Sequence, residues 1–405
     1  MTPEPLKIDP SISQSDCEAI ATKLEANAYP RLEVPLHLTS EGALGLDARV
    51  TQLIVQWARA NKDPTIVLPV GNTDVEQLLS KLALNDYGLA ALSLARHVMS
   101  VDGIAVPPAT TRSLVKKRLD DFSDRNFKIF GKEEGISFLS IYNHPQEYAE
   151  WLFAAPQDPT KRTLHTPRDV GAWLKKIIAQ LIPSELSERF DENRRTLLGV
   201  ASYELLENAH LHGRLNEFAD SISGVCGIAI RVVRVSYDTI NVVSGGNSDV
   251  DRYFLQRILR DKSKQDLFLE ITVFDSGIGY HRWINAPCNL REETQRFRGK
   301  TEAETVLNCL FRHSTSKAGD GAGVGLFRVI RLLKKLFGFI KIRTGRSCYY
   351  TRLDQTVDGK LRQLGETYVD SDTSEIELRE WFPGKVLPEA AGTIVTICSP
   401  LTHWR

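Results

Sequence analysis

Two polar side chains in a stretch of helical periodicity have types and spacing that suit a shared ligand. Glu204 and Asn208 are four residues apart, so both leave the same face of a helix one turn apart. A carboxylate and an amide can then converge on one ligand, and their oxygens suit a hard cation. Apolar Leu198, Ala201 and Leu205 place this face at the edge of a core. For the pair taken alone, the alternative is an ordinary solvated helix face.

A second candidate site follows the apolar stretch 269–274, which has the pattern of a buried strand. The strand ends in Asp275-Ser276-Gly277-Ile278-Gly279, which predicts a tight turn. Because Gly277 and Gly279 lack a Cβ, a flat ligand can approach the backbone there. The carboxylate of Asp275 can accept hydrogen bonds from an exocyclic amine. A plain turn capped by the aspartate is the alternative.

A third stretch presents backbone N–H groups at the start of a helix. Four glycines alternate with other residues immediately before Leu326, where helical periodicity begins: Gly319, Gly321, Gly323 and Gly325. Unpaired N–H groups and the positive end of the helix dipole make such a loop a phosphate site. The Walker spacing is absent, and Lys317 precedes the glycines instead of following them. A flexible linker is the alternative.

Taken in order, the three stretches resemble the N, G1 and G2 boxes of the GHKL ATPase superfamily. This superfamily includes gyrase B, the ninety-kilodalton heat-shock chaperones, histidine kinases and MutL. The resemblance covers Glu192 to Leu401, about half of the chain. Gly392 to Ile397 also looks like the family's final Gly-Thr-x-Val strand, and Thr315-Ser316-Lys317 is similar to the lid sequence of several members.

The resemblance implies ATP and Mg²⁺ as cofactors and a base pocket around Asp275. That residue would bind the adenine amino group, helped by Thr393 through water. Gly277 and Gly279 would shape the pocket.

The resemblance also implies roles around the phosphates. Asn208 would hold Mg²⁺, and Glu204 would orient or deprotonate the attacking water. Glu207 is the rival base, but the E-x-x-x-N spacing selects Glu204. The loop from Gly319 to Leu326 would bind the phosphates, with Lys317 a candidate for the γ-phosphate.

Two features depart from the family pattern. Forty positions separate Gly279 from Gly319 and include a helix-like stretch at 301–311, so we expect a long, mobile lid over 280–318. No histidine lies in a pattern like a phosphoacceptor helix, and His97 is the nearest candidate. His210 and His212 follow the N box, and the pattern favours helix-end histidines over phosphate ligands.

The elements that must position these residues indicate an α+β protein. Residues 191–405 predict a Bergerat-type α/β sandwich, with helices on one face of a mixed sheet. Residues 1–135 begin as strand, helix, strand and predict a smaller α/β domain, and the proline-punctuated segment 136–190 predicts a helical connector. The acidic segment 366–389 predicts an exposed loop before the last strand.

The composition is that of a folded, soluble protein. The 405 residues are 42% hydrophobic and 25% charged, and Lys plus Arg equals Asp plus Glu. Zero net charge gives no indication of nucleic-acid binding. No stretch is apolar enough for a membrane span or signal peptide, so we expect a cytoplasmic protein.

A protein partner is expected, and a homodimer is compatible with the sequence. Three functions share the predicted pocket: ATP hydrolysis, a protein kinase of the histidine-kinase or anti-sigma serine-kinase kind acting on another chain, and a nucleotide-binding scaffold.

Overall fold

The computed structural model describes residues 4–39, 43–69, 74–124, 128–129, 132–142, 152–154, 163–186, 190–258, 265–289, 298–310, 325–353, 367–370 and 373–401. It combines α-helices with one parallel and one antiparallel main sheet, as the sequence predicts for a mixed protein.

The N-terminal unit contains four parallel strands that pair in chain order. They are β1 Leu6–Lys7, β2 Arg31–Glu33, β3 Thr65–Leu68 and β4 His97–Ser100. Parallel neighbours need crossover connections, and here these are helical. The helices of this unit are α1 Gln14–Ala26, α2 Leu46–Ala60, α3 Val75–Ala83, α4 Asp86–Leu94 and α5 Pro108–Ser123.

The larger sheet has eight described strands in the order β13-β10-β9-β14-β8-β7-β6-β5. Their bounds are β5 Lys128–Ile129, β6 Lys132–Ile141, β7 Val225–Val235, β8 Asp266–Asp275, β9 Phe339–Thr344, β10 Ser347–Arg352, β13 Arg379–Glu380 and β14 Thr393–Pro400. A separate antiparallel pair consists of β11 Thr367–Asp370 and β12 Thr373–Glu377.

Helices of the second half flank this sheet. They are α6 Pro167–Leu181, α7 Glu192–His212, α8 Ile240–Val243, α9 Ser248–Ile258, α10 Gly279–Ile284, α11 Glu302–Leu310 and α12 Gly325–Lys335. The long helix α7 carries both Glu204 and Asn208, as the sequence predicts. The side chain of Asp191 caps its start by accepting from the N–H of Arg194 at 2.8 Å, and the helix ends at Gly213. It packs against β7, β8, α6 and α12.

The N-terminal unit covers the face of the sheet opposite α7. Side chains of a strand alternate between faces, so Ile271 and Val273 of β8 lie on the α7 side while Glu270 lies on the other. The Glu270 carboxylate accepts from the N–H groups of Leu44 and Gly45, at 2.6 and 3.1 Å. One apolar core includes residues of both units.

Buried charges join the two units. Glu18 of α1 binds Arg49 of α2 and Arg343 of β9, with N to O distances of 2.8 Å for each ion pair. Burial alone would raise the pKa of Glu18, but the two guanidinium groups outweigh it and lower that pKa to about 2. On β7, Arg231 binds Glu270 at 2.5 Å and Asp47 of α2 at 3.3 Å.

Four details of the structure differ from the sequence-based expectations. All described pairings in the large sheet are antiparallel, not mixed. Helices cover both of its faces, because the N-terminal unit supplies the second layer. The helical connector expected over 136–190 begins only at Pro167, since residues 132–141 form β6. The segment 366–389 contains strands, and one of them, β13, pairs with β10, so it is not simply a loop.

Candidate functional site

The carboxyl group of Asp275 lies at the end of β8, where the strand leaves the sheet. Its Oδ1 atom accepts from the N–H of Gly277 at 2.8 Å, and the N–H of Thr393 also donates to the carboxyl group. Burial raises the pKa of Asp275 to about 7, although these hydrogen bonds and the charge of Arg59 act in the opposite direction. Asp275 is therefore a buried acceptor whose charge depends on pH near neutrality.

Two glycines allow the end of α7 to lie directly on the Asp275 turn. A Cβ atom on Gly277 would be 2.8 Å from the Cα of Gly213 and 2.9 Å from the carbonyl oxygen of His212. A Cβ on Gly213 would overlap the side chain of Asp275. Since these neighbours include backbone atoms, any larger residue would separate helix and turn. The contact brings Asn208 and Asp275 to the same cavity.

The other wall of the site is formed by the turn at Gly279 and by Thr393, the first residue of β14. Gly279 has a φ of 76°, and a Cβ there would be 2.8 Å from the Oγ1 atom of Thr344. The Thr344 hydroxyl accepts from the N–H of Tyr280 at 3.0 Å and hydrogen-bonds the Thr393 hydroxyl at 3.0 Å. Thr393 therefore supports the Asp275 turn through its backbone and the Gly279 turn through its side chain.

These elements enclose a small cavity of about 20 Å³. Four of the predicted site residues line it, together with apolar and aromatic neighbours: Leu205, Asn208, Ala209, His212, Val273, Asp275, Gly279, Tyr280, Trp283, Thr393 and Val395. The rings of His212 and Trp283 pack at 4.9 Å between centroids. The volume holds about one water molecule. An adenine ring would fit only after side chains at the cavity rearrange, and Trp283 is the largest of them.

Glu204 lies one turn before Asn208 on α7 and does not line the cavity. Its rival Glu207 accepts a hydrogen bond at 2.9 Å from the Tyr203 hydroxyl. Both carboxylates are partly exposed.

The predicted phosphate loop falls largely outside the described residues. Lys317, Gly319, Gly321 and Gly323 all lie there, as does much of the expected lid. Gly325 and Leu326 begin α12, and the side chain of Leu326 is buried in the core. His97, the nearest phosphoacceptor candidate, lies exposed on strand β4 and not on a helix.

Sequence reasoning missed several residues that shape the site. Two of them could have been found from their positions in the sequence. Gly213 follows the helix that carries Asn208, and Trp283 lies shortly after the Asp275 turn. Gln52 of α2 carries no such signal, yet its Nε2 atom donates to the Asp275 carbonyl at 3.2 Å. His212 was considered for the helix end and lies in the cavity wall.

Among the described residues, no three His, Cys, Asp or Glu side chains are grouped as a metal site. Mg²⁺ bound with a nucleotide needs only one or two protein ligands, because phosphates and water complete its shell. Asn208 at the cavity wall fits that requirement.

None of the described helices combines the length and apolar character needed to cross a membrane. Comparisons with protein-family models, curated proteins and solved structures found no match to this chain.

Proposed function

We propose that this protein binds Mg-ATP in the cavity between α7 and the Asp275 turn, in the manner of a GHKL-type Bergerat fold, and hydrolyses it. One observation carries the proposal. A buried carboxylate and an amide, more than sixty residues apart in sequence, line the same cavity together with Gly279 and Thr393. Four of the residues that resemble the family's motifs are thus also neighbours in space.

The described side chains support a division of roles. Asp275, buried and held by two N–H donors, accepts from the adenine amino group when it is ionised. Val273, Leu205 and Val395 supply apolar walls for a flat base. Asn208 supplies an oxygen for Mg²⁺, which when bound neutralises phosphate charge.

Glu204 is the proposed general base for the attacking water. It lies on the helix face of Asn208 but away from the base-binding cavity, as a group that addresses the phosphate end of a nucleotide should. A base in this position typically contributes a factor of about 10²–10⁴ in rate. The phosphates themselves would be bound by the loop up to Leu326.

The test compares binding with turnover in three variants of α7. Asn208→Ala should weaken Mg-ATP binding in calorimetry with a non-hydrolysable analogue, because a ligand of the metal is lost. Glu204→Gln should retain binding but lower phosphate release by about 10²–10⁴. Glu207→Gln is the matched control on the same helix and should retain both.

Two results would change the proposal. Full phosphate release by Glu204→Gln would exclude hydrolysis by this base. Tight Mg-ATP binding by the wild type without phosphate release would favour the kinase and scaffold alternatives. Transfer of γ-label from ATP to a partner protein would then distinguish those two.

A further inference from the structure

A second and larger cleft lies where the N-terminal unit meets the loop before β7. Its cavity volume is about 630 Å³, which is within the range of small-molecule sites. The end of α2, the approach to β3 and the end of α4 form one side, and Ile222 and Ser223 form the other. Ala58 and Leu94, both partly exposed, supply apolar surface.

Three cationic side chains line this cleft: Arg59, Lys62 and Arg96. No acidic side chain is among the described residues that line it. Arg96 pairs with Asp63 at 2.5 Å, but 65% and 63% of these side chains are exposed, and such surface pairs are weak and exchange readily. The cleft therefore carries an excess of positive charge within a chain of zero net charge.

The side chain of Arg59 is held in place by an uncharged backbone carbonyl group. Its Nε and Nη2 atoms donate to the Ser223 carbonyl oxygen, at 3.1 and 2.6 Å. A carbonyl accepts these hydrogen bonds without neutralising the guanidinium charge, and the remaining donors of an arginine can bind an oxyanion. The arginine is thus oriented at the wall of the cleft before any ligand arrives.

We propose that this cleft binds a small organic anion, with its phosphate or carboxylate group among Arg59, Lys62 and Arg96. The apolar part of the same molecule would lie against Ala58 and Leu94. Arginine suits both anionic groups because its fork of donors matches their oxygens. The site is separate from the proposed nucleotide cavity, with which it shares no lining residue.

The two sites are nevertheless close, which determines the controls. A Cβ on Gly224 would be 2.8 Å from Arg59 Nη2 and would also overlap Ser276, the residue after Asp275. A probe that bound the nucleotide cavity could therefore be mistaken for one in the cleft. Asp275→Asn serves to separate the two, because Asp275 lines only the nucleotide cavity, and the loss of its negative charge near Arg59 should not weaken an anion in the cleft.

The experiment is calorimetric titration of the full chain with phenyl phosphate and with benzoate, at constant ionic strength. We expect one-to-one binding of at least one probe, with the stronger of the two identifying the preferred anionic group. Lys62→Gln and Arg96→Gln should each weaken binding about tenfold, and both residues are exposed, so the fold should persist. Lys116→Gln, an exposed lysine on α5, should leave binding unchanged, and Asp275→Asn should not weaken it.

Several results would overturn the proposal. These are the absence of saturable binding at millimolar probe, equal weakening by Lys116→Gln, and loss of binding in Asp275→Asn. Binding of a polynucleotide with no binding of either probe would also overturn it, since the cationic surface would then serve a macromolecule. Failure of Asp275→Asn to affect ATP, with probe binding intact, would count against the nucleotide site alone.

Discussion

Replacing Asp275 by Asn should raise the stability of the protein near neutral pH while weakening its affinity for ATP. The carboxyl group is buried, and burial raises its pKa from the usual 3.8 to about 7. Between these two pH values an unfolded chain has lost the proton while the folded protein keeps it. Stability from this group is therefore fully present below pH 3.8, declines as the pH rises, and levels off above pH 7.

The size of the effect follows from the width of this interval. Each pH unit corresponds to about 1.4 kcal/mol, so the ionised Asp275 lowers the free energy of unfolding by roughly 4 kcal/mol above neutrality. An Asn keeps an oxygen to accept from Gly277 but carries no charge. The advantage of the variant should grow by about 2 kcal/mol between about pH 5.5 and 8.5.

Urea denaturation of both proteins across this pH range measures the difference, and calorimetry measures ATP affinity. Stability and ATP affinity should change in opposite directions. The variant should be the more stable protein, but it loses an ionised acceptor for the adenine amino group and should bind ATP at least about tenfold more weakly. Wild-type affinity for ATP should rise between pH 6 and 8 as the carboxyl group ionises. A stability difference independent of pH, or a variant less stable than the wild type at pH 8, would refute the reasoning.

Three further substitutions, one of them with a control substitution, test other parts of the structure. Trp283→Ala enlarges the 20 Å³ cavity and should speed ATP association in stopped-flow measurements, whereas weaker binding with unchanged association would make Trp283 a contact for the base. Gly277→Ala places a methyl group against the backbone at the end of α7 and should cost about 1–3 kcal/mol in urea denaturation, so a stable variant with intact ATP binding would contradict the close approach. Glu270→Ala removes the carboxylate that lies 2.5 Å from buried Arg231 and should cost about 3–5 kcal/mol, while Glu33→Ala, paired with a Lys7 side chain that is 67% exposed, should change stability by less than about 1 kcal/mol. Equal effects of these two glutamates would show that the buried network does not hold the units together.

Local patterns in the sequence predict much of the fold. The helical periodicity around Glu204 and Asn208 predicts the helix α7 because it is set by residues about one turn apart. The strand before Asp275 is recognisable because its apolar residues are continuous and end at a glycine turn. Three of the four site residues that line the cavity, Asn208, Asp275 and Gly279, could also be chosen in advance on their chemistry, whereas Thr393 followed only from the family resemblance.

The layer formed by the N-terminal unit could not be predicted in this way, because it depends on contacts between distant residues. Glu18 and Arg343 are 325 positions apart. A signal does exist in the sequence, since Arg231, Glu270 and Lys341 interrupt strands that are otherwise apolar. Charged residues inside buried strands indicate a polar partner across that face, although they do not identify which part of the chain supplies it.

The position of β14 has a consequence for biosynthesis. This strand, Thr393–Pro400, is the last described strand along the chain, yet it lies between β8 and β9 in the interior of the sheet. A chain leaving the ribosome therefore completes both neighbours before the strand that joins them exists. Until then, β8 and β9 each present an unpaired edge, which can pair with another nascent chain. The protein should consequently depend on chaperones during synthesis more than after it has folded.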